Sequence, residues 1–437
     1  MLYDFEGKRI AVVGIARSGM AAADVLSRRG ASVILYDGKS ADQLVSQLEW
    51  AEINGIQCVT AAEAVGPADI AIISPGVRIT SPIVRSILDQ KIELWGEIEA
   101  AYRISQAPIL AVTGTNGKTT TALLLAEMLR IAGKITYAGG NIAAGNIAQP
   151  LIEAAESASA DDAIVAEISS FQLESIVEFR PSVAAILNIT PDHQDRQSWK
   201  DYVASKWRLF EKQRDDDTAV LSCAVPRPAG QPSLPPNVVY FDDQPMPGWI
   251  DQILLPGAHN RSNILAASAM AHAFGVPESS IKEASLTFKG VVHRLEYVGE
   301  IDDVKYINNS MCTNNAAFAS SLEAITAPKI VIAGGVFKGG DMTPIANAIS
   351  NNNVKLLVTF GRSGPVIADV VRSNSDVKVA VTPDLQSALA VSSSEAVVGD
   401  TIILNPGCAS FDQFKDFEHR GDTFKSIVLA LRKVTSK

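Results

Sequence analysis

Residues 108 to 121 read Pro108-Ile-Leu-Ala-Val-Thr-Gly-Thr-Asn-Gly-Lys-Thr-Thr-Thr121. An apolar run suited to a buried strand feeds a Gly-rich turn, and a helix-like run follows from Thr121 to Ile131. Such a turn points backbone N–H groups and a helix N-terminus at a polyphosphate. Lys118 would reach the terminal phosphates, and the Thr119 hydroxyl is suited to ligate Mg2+. Gly114, Thr115, Asn116, Gly117, Lys118, Thr119 and Thr120 are therefore candidate contacts to a nucleoside triphosphate. The general phosphate-loop spacing places a Gly five residues before Gly117. Val112 stands there, so this loop is a short variant.

Upstream, the pattern predicts strands at Ile10–Val13, Val33–Tyr36 and Asp69–Ile73 with a helix over Met20–Arg29, the alternation of a doubly wound parallel sheet. The first turn, Gly14-Ile-Ala-Arg-Ser-Gly19, approximates a dinucleotide-binding fingerprint with Ala16 in place of the middle Gly, and Asp37 follows at the position of a ribose-binding acid. Ser74-Pro75-Gly76 follows a strand at the same carboxyl edge. Downstream, Ala163–Ala166 predicts a buried strand ending in Glu167, and Val183–Ile189 another ending in Thr190-Pro191-Asp192-His193. Ligands of parallel sheets bind beyond the carboxyl ends of strands, so Lys118, Glu167 and His193 are expected to converge. Glu167 suits a hard cation and His193 a metal or phosphate contact.

Prolines crowd residues 224–247, which predicts surface loops around a short edge strand at Val238–Phe241. A helix over Asn260–Phe274 places His259, Asn260 and Asn263 at its start. A third alternation follows, with strands at Lys329–Ala333, Leu356–Phe360, Val377–Val381 and Thr401–Leu404. Lys338 and Ser410 follow strands of that region, and His293-Arg294 precedes it as a candidate clamp on phosphate. The fold class expected is α/β, with three successive doubly wound, Rossmann-like domains at residues 1–104, 105–290 and 291–437, the central one of phosphate-loop ATPase type.

The 437 residues are 47% apolar and 20% charged, as in ordinary globular protein, and no apolar run approaches a membrane span. The N-terminal residues carry charges where a signal peptide would not, so a cytoplasmic protein is expected. A net charge of -10 argues against nucleic-acid binding. Cys58, Cys223, Cys312 and Cys408 lack metal-ligand spacing. By composition alone Lys206, on the helix-like stretch Trp199–Glu211, reads as a solvated charge.

Together, Gly114-Thr-Asn-Gly-Lys-Thr-Thr120, Gly139-Gly-Asn141, Glu167-Ile-Ser-Ser-Phe-Gln-Leu-Glu174, Asn188-Ile-Thr-Pro-Asp-His-Gln-Asp195, His259-Asn260, His293-Arg294 and Cys408-Ala-Ser-Phe-Asp-Gln-Phe-Lys415 resemble the Mur ligases over nearly the whole chain. The Glu167–Glu174 and Ala409–Phe414 stretches resemble the member that adds glutamate. The resemblance implies cytoplasmic peptidoglycan synthesis. ATP would phosphorylate the carboxylate of UDP-N-acetylmuramoyl-L-alanine, and the amine of D-glutamate would displace the phosphate. It also implies that Lys118 and Thr119 bind phosphates and Mg2+, that Glu167 and His193 ligate metal, of which there are two ions, and that Asn263, Arg294 and Asn309 contact the nucleotide. Arg17, Ser18, Asp37, Lys39, Ser74 and Gly76 would hold the uridine diphosphate end, and Asn141 and Gln172 the muramoyl-alanine end. The first domain would thus hold the UDP-sugar and the third would bind glutamate and close on ATP. Thr313 and Lys338 would take the glutamate α-carboxylate, with Ser410 and the Phe417 backbone at the side-chain carboxylate.

Lys206 falls where the family carries a lysine carbamylated by CO2, a modification that turns a cation into a carboxylate-like metal ligand. One segment departs from the pattern: Asn308-Asn-Ser-Met-Cys-Thr-Asn314 has Asn309 for an acid and Met311 for a lysine, at positions that in the family lie by the nucleotide. Two other readings stand beside the ligase acting as a monomer: the same chemistry on another acceptor such as L-glutamate, and a non-catalytic homologue that binds nucleotide and UDP-sugar.

Overall fold

The computed structural model describes residues 2–142, 149–190, 198–255, 257–337, 339 and 341–435. Among them, seventeen strands form three sheets. The first contains β1 (Arg9–Val13), β2 (Ser32–Tyr36), β3 (Gln57–Val59), β4 (Ile70–Ile73) and β5 (Glu93–Gly96), in the order β3-β2-β1-β4-β5 and parallel throughout. The second contains β6 (Ile109–Thr113), β7 (Thr136–Gly140), β8 (Ala163–Glu167), β9 (Val183–Ile186), β10 (Thr218–Leu221) and β11 (Asn237–Tyr240), also parallel, in the order β11-β10-β9-β6-β8-β7. The strand expected among the prolines is β11, at the sheet's edge, where proline neighbours interrupt no ladder.

The first two sheets belong to one compact unit, running to Ile253 and including His259–Phe288. They share a hydrophobic core in which Ile10, Val12 and Leu35 of the first join Ala111, Ile164 and Ile186 of the second. The connecting helix Glu97–Ile104 fixes the junction. Its fully buried Glu99 carboxylate accepts the Val177 and Phe179 amides at 2.9 Å and the Arg103 guanidinium at 2.7 Å. A buried carboxylate is tolerated only with such partners.

The second unit, Leu254–Ala258 with the chain from Lys289, carries the third sheet. It is built of β12 (Glu296–Ile301), β13 (Val304–Asn308), β14 (Lys329–Gly334), β15 (Val354–Phe360), β16 (Lys378–Val381) and β17 (Thr401–Leu404), in the order β12-β13-β17-β14-β15-β16. Only the β12–β13 pair is antiparallel. Apolar clusters cover both faces, Val331 and Ile403 on one, Ile330 and Ile402 on the other, as period-2 strands buried on two sides require. The fold is therefore the α/β architecture expected from the alternation. No described helix is long and apolar enough to cross a membrane.

Two boundaries differ from the sequence reading at places that matter. The helix after the phosphate loop begins at Lys118, three residues earlier than its apolar pattern, because the loop itself supplies the first turn. The strand predicted over Val183–Ile189 stops at Ile186. There the chain leaves the sheet to bond the loop: Asn188 O accepts Thr115 N at 2.9 Å.

Candidate active site

The turn between β6 and the helix Lys118–Ile131 depends on Gly117, whose φ of 85° lies in the left-handed region and whose missing Cβ makes room for Asn263 Oδ1. Neighbouring strands brace the turn. Asn188 Oδ1 accepts Asn116 N at 2.9 Å and its amide donates to Asn116 O at 3.1 Å, while Thr115 Oγ1 accepts Thr190 N at 3.0 Å. Lys118 Nζ donates to the loop carbonyls Gly114 O at 3.1 Å and Thr115 O at 2.9 Å.

At the next strand end Thr119 Oγ1 donates to Glu167 Oε2 at 2.6 Å, and Asn141 Nδ2 donates to Glu167 Oε1 at 3.1 Å. Glu167 is only 2% exposed. Asn141 reaches it because Gly140, at φ 87°, turns the chain off β7 where a Cβ would overlap Glu167 O. This donor set is oxygen-rich and fits Mg2+, which takes few protein ligands, all hard oxygens. Among the described residues no three His, Cys, Asp or Glu side chains cluster as a metal site. His193 lies outside the described residues.

Lys206 contradicts the solvated reading. It is 2% exposed, its Nζ donates to Gly114 O at 2.9 Å and stands 4.6 Å from the centroid of the Tyr202 ring. The helix Trp199–Trp207 does this by spacing: Tyr202 and Lys206 are one turn apart and share its inner face. The Tyr202 hydroxyl lies 3.0 Å from Thr115 Oγ1. Thr120 is buried behind the loop. Asn263 and Asn260 are buried on the helix Ala258–Ala273, with Asn263 Nδ2 donating to Asn260 Oδ1 at 3.4 Å.

In the first sheet Asp37 Oδ2 accepts Ile15 N and Oδ1 accepts Lys39 N, both at 2.9 Å, so this acid shapes the turn after β1. Arg17 and Ser18 open the helix Arg17–Arg28, and Arg17, Lys39 and Gly76 are exposed. Ser74 is buried and donates to Gly14 O at 3.0 Å. Gln172 joins Ser169 in a reciprocal cap of the short helix Ser170–Leu173. Ser74 and Gln172 line one cavity with Glu97 and Glu174. That cavity shares Pro75, Phe171 and Glu174 with a larger cleft of about 1090 Å³, which does not take in the phosphate loop. Burial, with the Glu153 charge nearby, pushes Glu97 up to about 7, and burial raises Glu174.

In the second unit, Ser410 is buried and its carbonyl accepts Phe414 N at 3.0 Å. Phe417 starts the helix Phe417–Thr435, its carbonyl accepting the Ser310 hydroxyl at 2.7 Å. Thr313 is half-buried beside Asn314, which caps the helix Asn315–Glu323. Burial lowers the His293 pKa, with the Lys425 charge acting the same way, and Arg294 follows it, half-buried. Lys338 lies outside the described residues.

Asn309, expected beside the nucleotide, has side-chain partners of its own within the second unit. It is buried, with Nδ2 donating to Ser321 Oγ at 2.8 Å and Asn405 Oδ1 at 2.7 Å, and Oδ1 accepting Leu295 N at 3.1 Å. Its amide is engaged within the sheet edge. Asn188, Tyr202 and Arg420 were not singled out from sequence. The first two lie within quoted or helical stretches, and their only signal is spacing to neighbouring candidate residues.

Fold and site together define a phosphate-loop α/β enzyme. The Mur ligase MurD-like N-terminal domain pattern matches residues 8–96, the Mur ligase middle domain 112–229, and the Mur ligase glutamate ligase domain 293–408. A protein named UDP-N-acetylmuramoylalanine–D-glutamate ligase from Pelotomaculum thermopropionicum is 40% identical over 99% of this chain and its own full length. One so named from Thermoanaerobacter sp. is 40% identical over 98% of this chain and likewise all of its own. The crystal structure of UDP-N-acetylmuramate-alanine ligase from Thermotoga maritima shares the fold, with a TM-score of 0.57 at 17% identity, covering 98% of this chain and 100% of that one. The chain belongs to the Mur ligase family.

Proposed function

We propose that this enzyme is an ATP-dependent ligase that joins D-glutamate to UDP-N-acetylmuramoyl-L-alanine in peptidoglycan precursor synthesis. The observation that carries the reading is the braced phosphate loop with its buried Thr119–Glu167 pair, in a chain matched end to end by relatives named for that reaction. The alanyl carboxylate oxygen attacks the γ-phosphorus of ATP and ADP departs. The glutamate amine then attacks the acyl carbon of the resulting acyl phosphate, loses a proton, and phosphate leaves with one carboxylate oxygen. Most of the acceleration comes from placing reactants and neutralising charge.

Backbone N–H groups of Gly114–Thr120 and Lys118 hold the ATP phosphates, and Asn263, Arg294 and the loop residues Thr115 and Asn116 bound the nucleotide. Thr119 and Glu167, with His193, hold Mg2+, which when bound supplies charge neutralisation to the phosphoryl group. Lys206 is read as carbamylated: its neutral amine adds to CO2 and releases a proton, leaving a carboxylate-like group. Its burial against the loop supports this, because a bare ammonium there would repel a divalent cation.

The shared cavity of Ser74 and Gln172 supports allocating the UDP-sugar to the first two sheets, with Arg17, Ser18, Asp37, Lys39 and Gly76 at the diphosphate end and Asn141 at the muramoyl end. Thr313, Lys338, Ser410 and the Phe417 backbone receive glutamate. Every group named comes from one chain, so a monomer suffices, and the reading places it in the cytoplasm where ATP is made. Phosphate release tests it directly: turnover is expected only with ATP, UDP-sugar and D-glutamate all present, and equal release with either acceptor omitted would overturn it.

A further inference from the structure

Arg420, on the helix Phe417–Thr435, has no exposed surface, yet no carboxylate among the described residues pairs with it. Its guanidinium spreads over backbone instead. Nε donates to Ser310 Oγ at 3.0 Å, one terminal nitrogen to Ser310 O at 2.9 Å, and the other to Cys408 O at 3.1 Å and Gly334 O at 3.4 Å. Ser310 follows β13, Gly334 ends β14 and Cys408 follows β17, so one side chain ties three neighbouring strand ends together. The Ser310 hydroxyl passes the connection to Phe417 O at 2.7 Å. Asp412 is the nearest acid in effect, but its carboxylate takes the Arg362 amide at 2.8 Å. Burial pulls Arg420 down to about 10, so it stays charged at neutral pH.

A buried cation without a counter-ion is expensive, and an apolar residue would fill this volume at less cost to stability. Its presence calls for another reason, and its position supplies one. The segments it gathers lead directly into Ser410 and the Phe417 backbone, which in the functional reading above receive an acceptor carboxylate. Planar forks satisfy several carbonyls in fixed directions, which a lysine cannot do.

We propose that Arg420 is the positioning residue of the acceptor pocket, locking the ends of β13, β14 and β17 and the start of the last helix so that an anionic amino acid meets preorganised donors over a buried positive charge. The inference rests on the ligase reading. The test measures KM for D-glutamate and for the UDP-sugar, with kcat, in the unmodified enzyme and in Arg420→Met, Arg420→Lys and Ser310→Ala.

Arg420→Met should raise the D-glutamate KM about tenfold or more with the UDP-sugar KM within about twofold, and Arg420→Lys, which keeps the charge, should recover part of the loss. Ser310→Ala removes the relay to Phe417 without emptying the core and should shift the same KM in the same direction. It decides the matter if Arg420→Met does not fold. An unchanged D-glutamate KM in folded variants, or an equal rise in both KM values, would overturn the proposal. No glutamate-dependent turnover in the unmodified enzyme would instead remove the ligase reading and this inference with it.

Discussion

Thr119 Oγ1, in the first turn of the helix after the phosphate loop, and Glu167 Oε2, at the end of β8, lie 2.6 Å apart, both residues buried. The hydroxyl donates its proton to the carboxylate, which fixes both oxygens beside the phosphate loop, and in the proposed function both would face one Mg2+. Glu167→Gln keeps the shape but removes the charge. It is expected to cut turnover on the order of a hundredfold and to raise the Mg2+ concentration needed for ATP binding. Titrating Mg2+ against nucleotide binding checks this, and an unshifted midpoint would detach Glu167 from the metal.

The environment of Lys206 leads to a second expectation. Lys206→Ala should lose at least about a hundredfold in turnover and regain part of it with small carboxylates that occupy the vacated space. Activity of the unmodified enzyme should also depend on dissolved CO2. A variant as active as the parent, with no response to added formate or acetate, would contradict the carbamate.

Glu97 gives the fold a pH dependence of definite sign. Its carboxyl is raised from 4.5 to about 7 by burial, and by Glu153, against the Leu151 and Ile152 amides that favour its ionised form. The folded state therefore holds a proton that the unfolded chain has released, so the contribution to stability falls as pH rises from 4.5 to 7 and is level above. A shift of this size corresponds to about 3 kcal/mol. Glu97→Gln, still able to accept from Ile152 N, should flatten that slope in urea denaturation measured from pH 5 to pH 8. An unaltered slope would show that Glu97 does not titrate in this window.

The strands flanking the phosphate loop, and Lys118, Thr119 and Glu167 at one edge, were legible because parallel-sheet chemistry places glycines, hydroxyls and acids at fixed strand ends. Lys206 was not legible from pattern: a lysine on a mixed helix looks solvated until Tyr202 and Gly114 O are seen around it. Asn188 and Asn405 were equally silent, since their roles come from residues far away in the chain. Arg420 shows the general limit. Burial of an arginine depends on three loops arriving together, which no local period records.

Asn309 joins a buried amide network that gives it a structural test of its own. An Asp there cannot donate to Ser321 and would face Asn405 Oδ1, while turning the Asn405 amide would forfeit its 3.1 Å bond to Phe318 O. Asn309→Asp is therefore expected to cost about 1–3 kcal/mol in chemical denaturation. A variant as stable as the parent would show that the network rearranges freely.

The central claim, that ATP activates a carboxylate which an amine then captures, is tested most directly by oxygen transfer. With UDP-N-acetylmuramoyl-L-alanine labelled with oxygen-18 in its carboxylate, turnover with ATP and D-glutamate should release phosphate carrying one labelled oxygen for each amide formed. Amide formation with unlabelled phosphate would contradict the acyl phosphate route, and labelled phosphate with L-glutamate but not D-glutamate would contradict the acceptor.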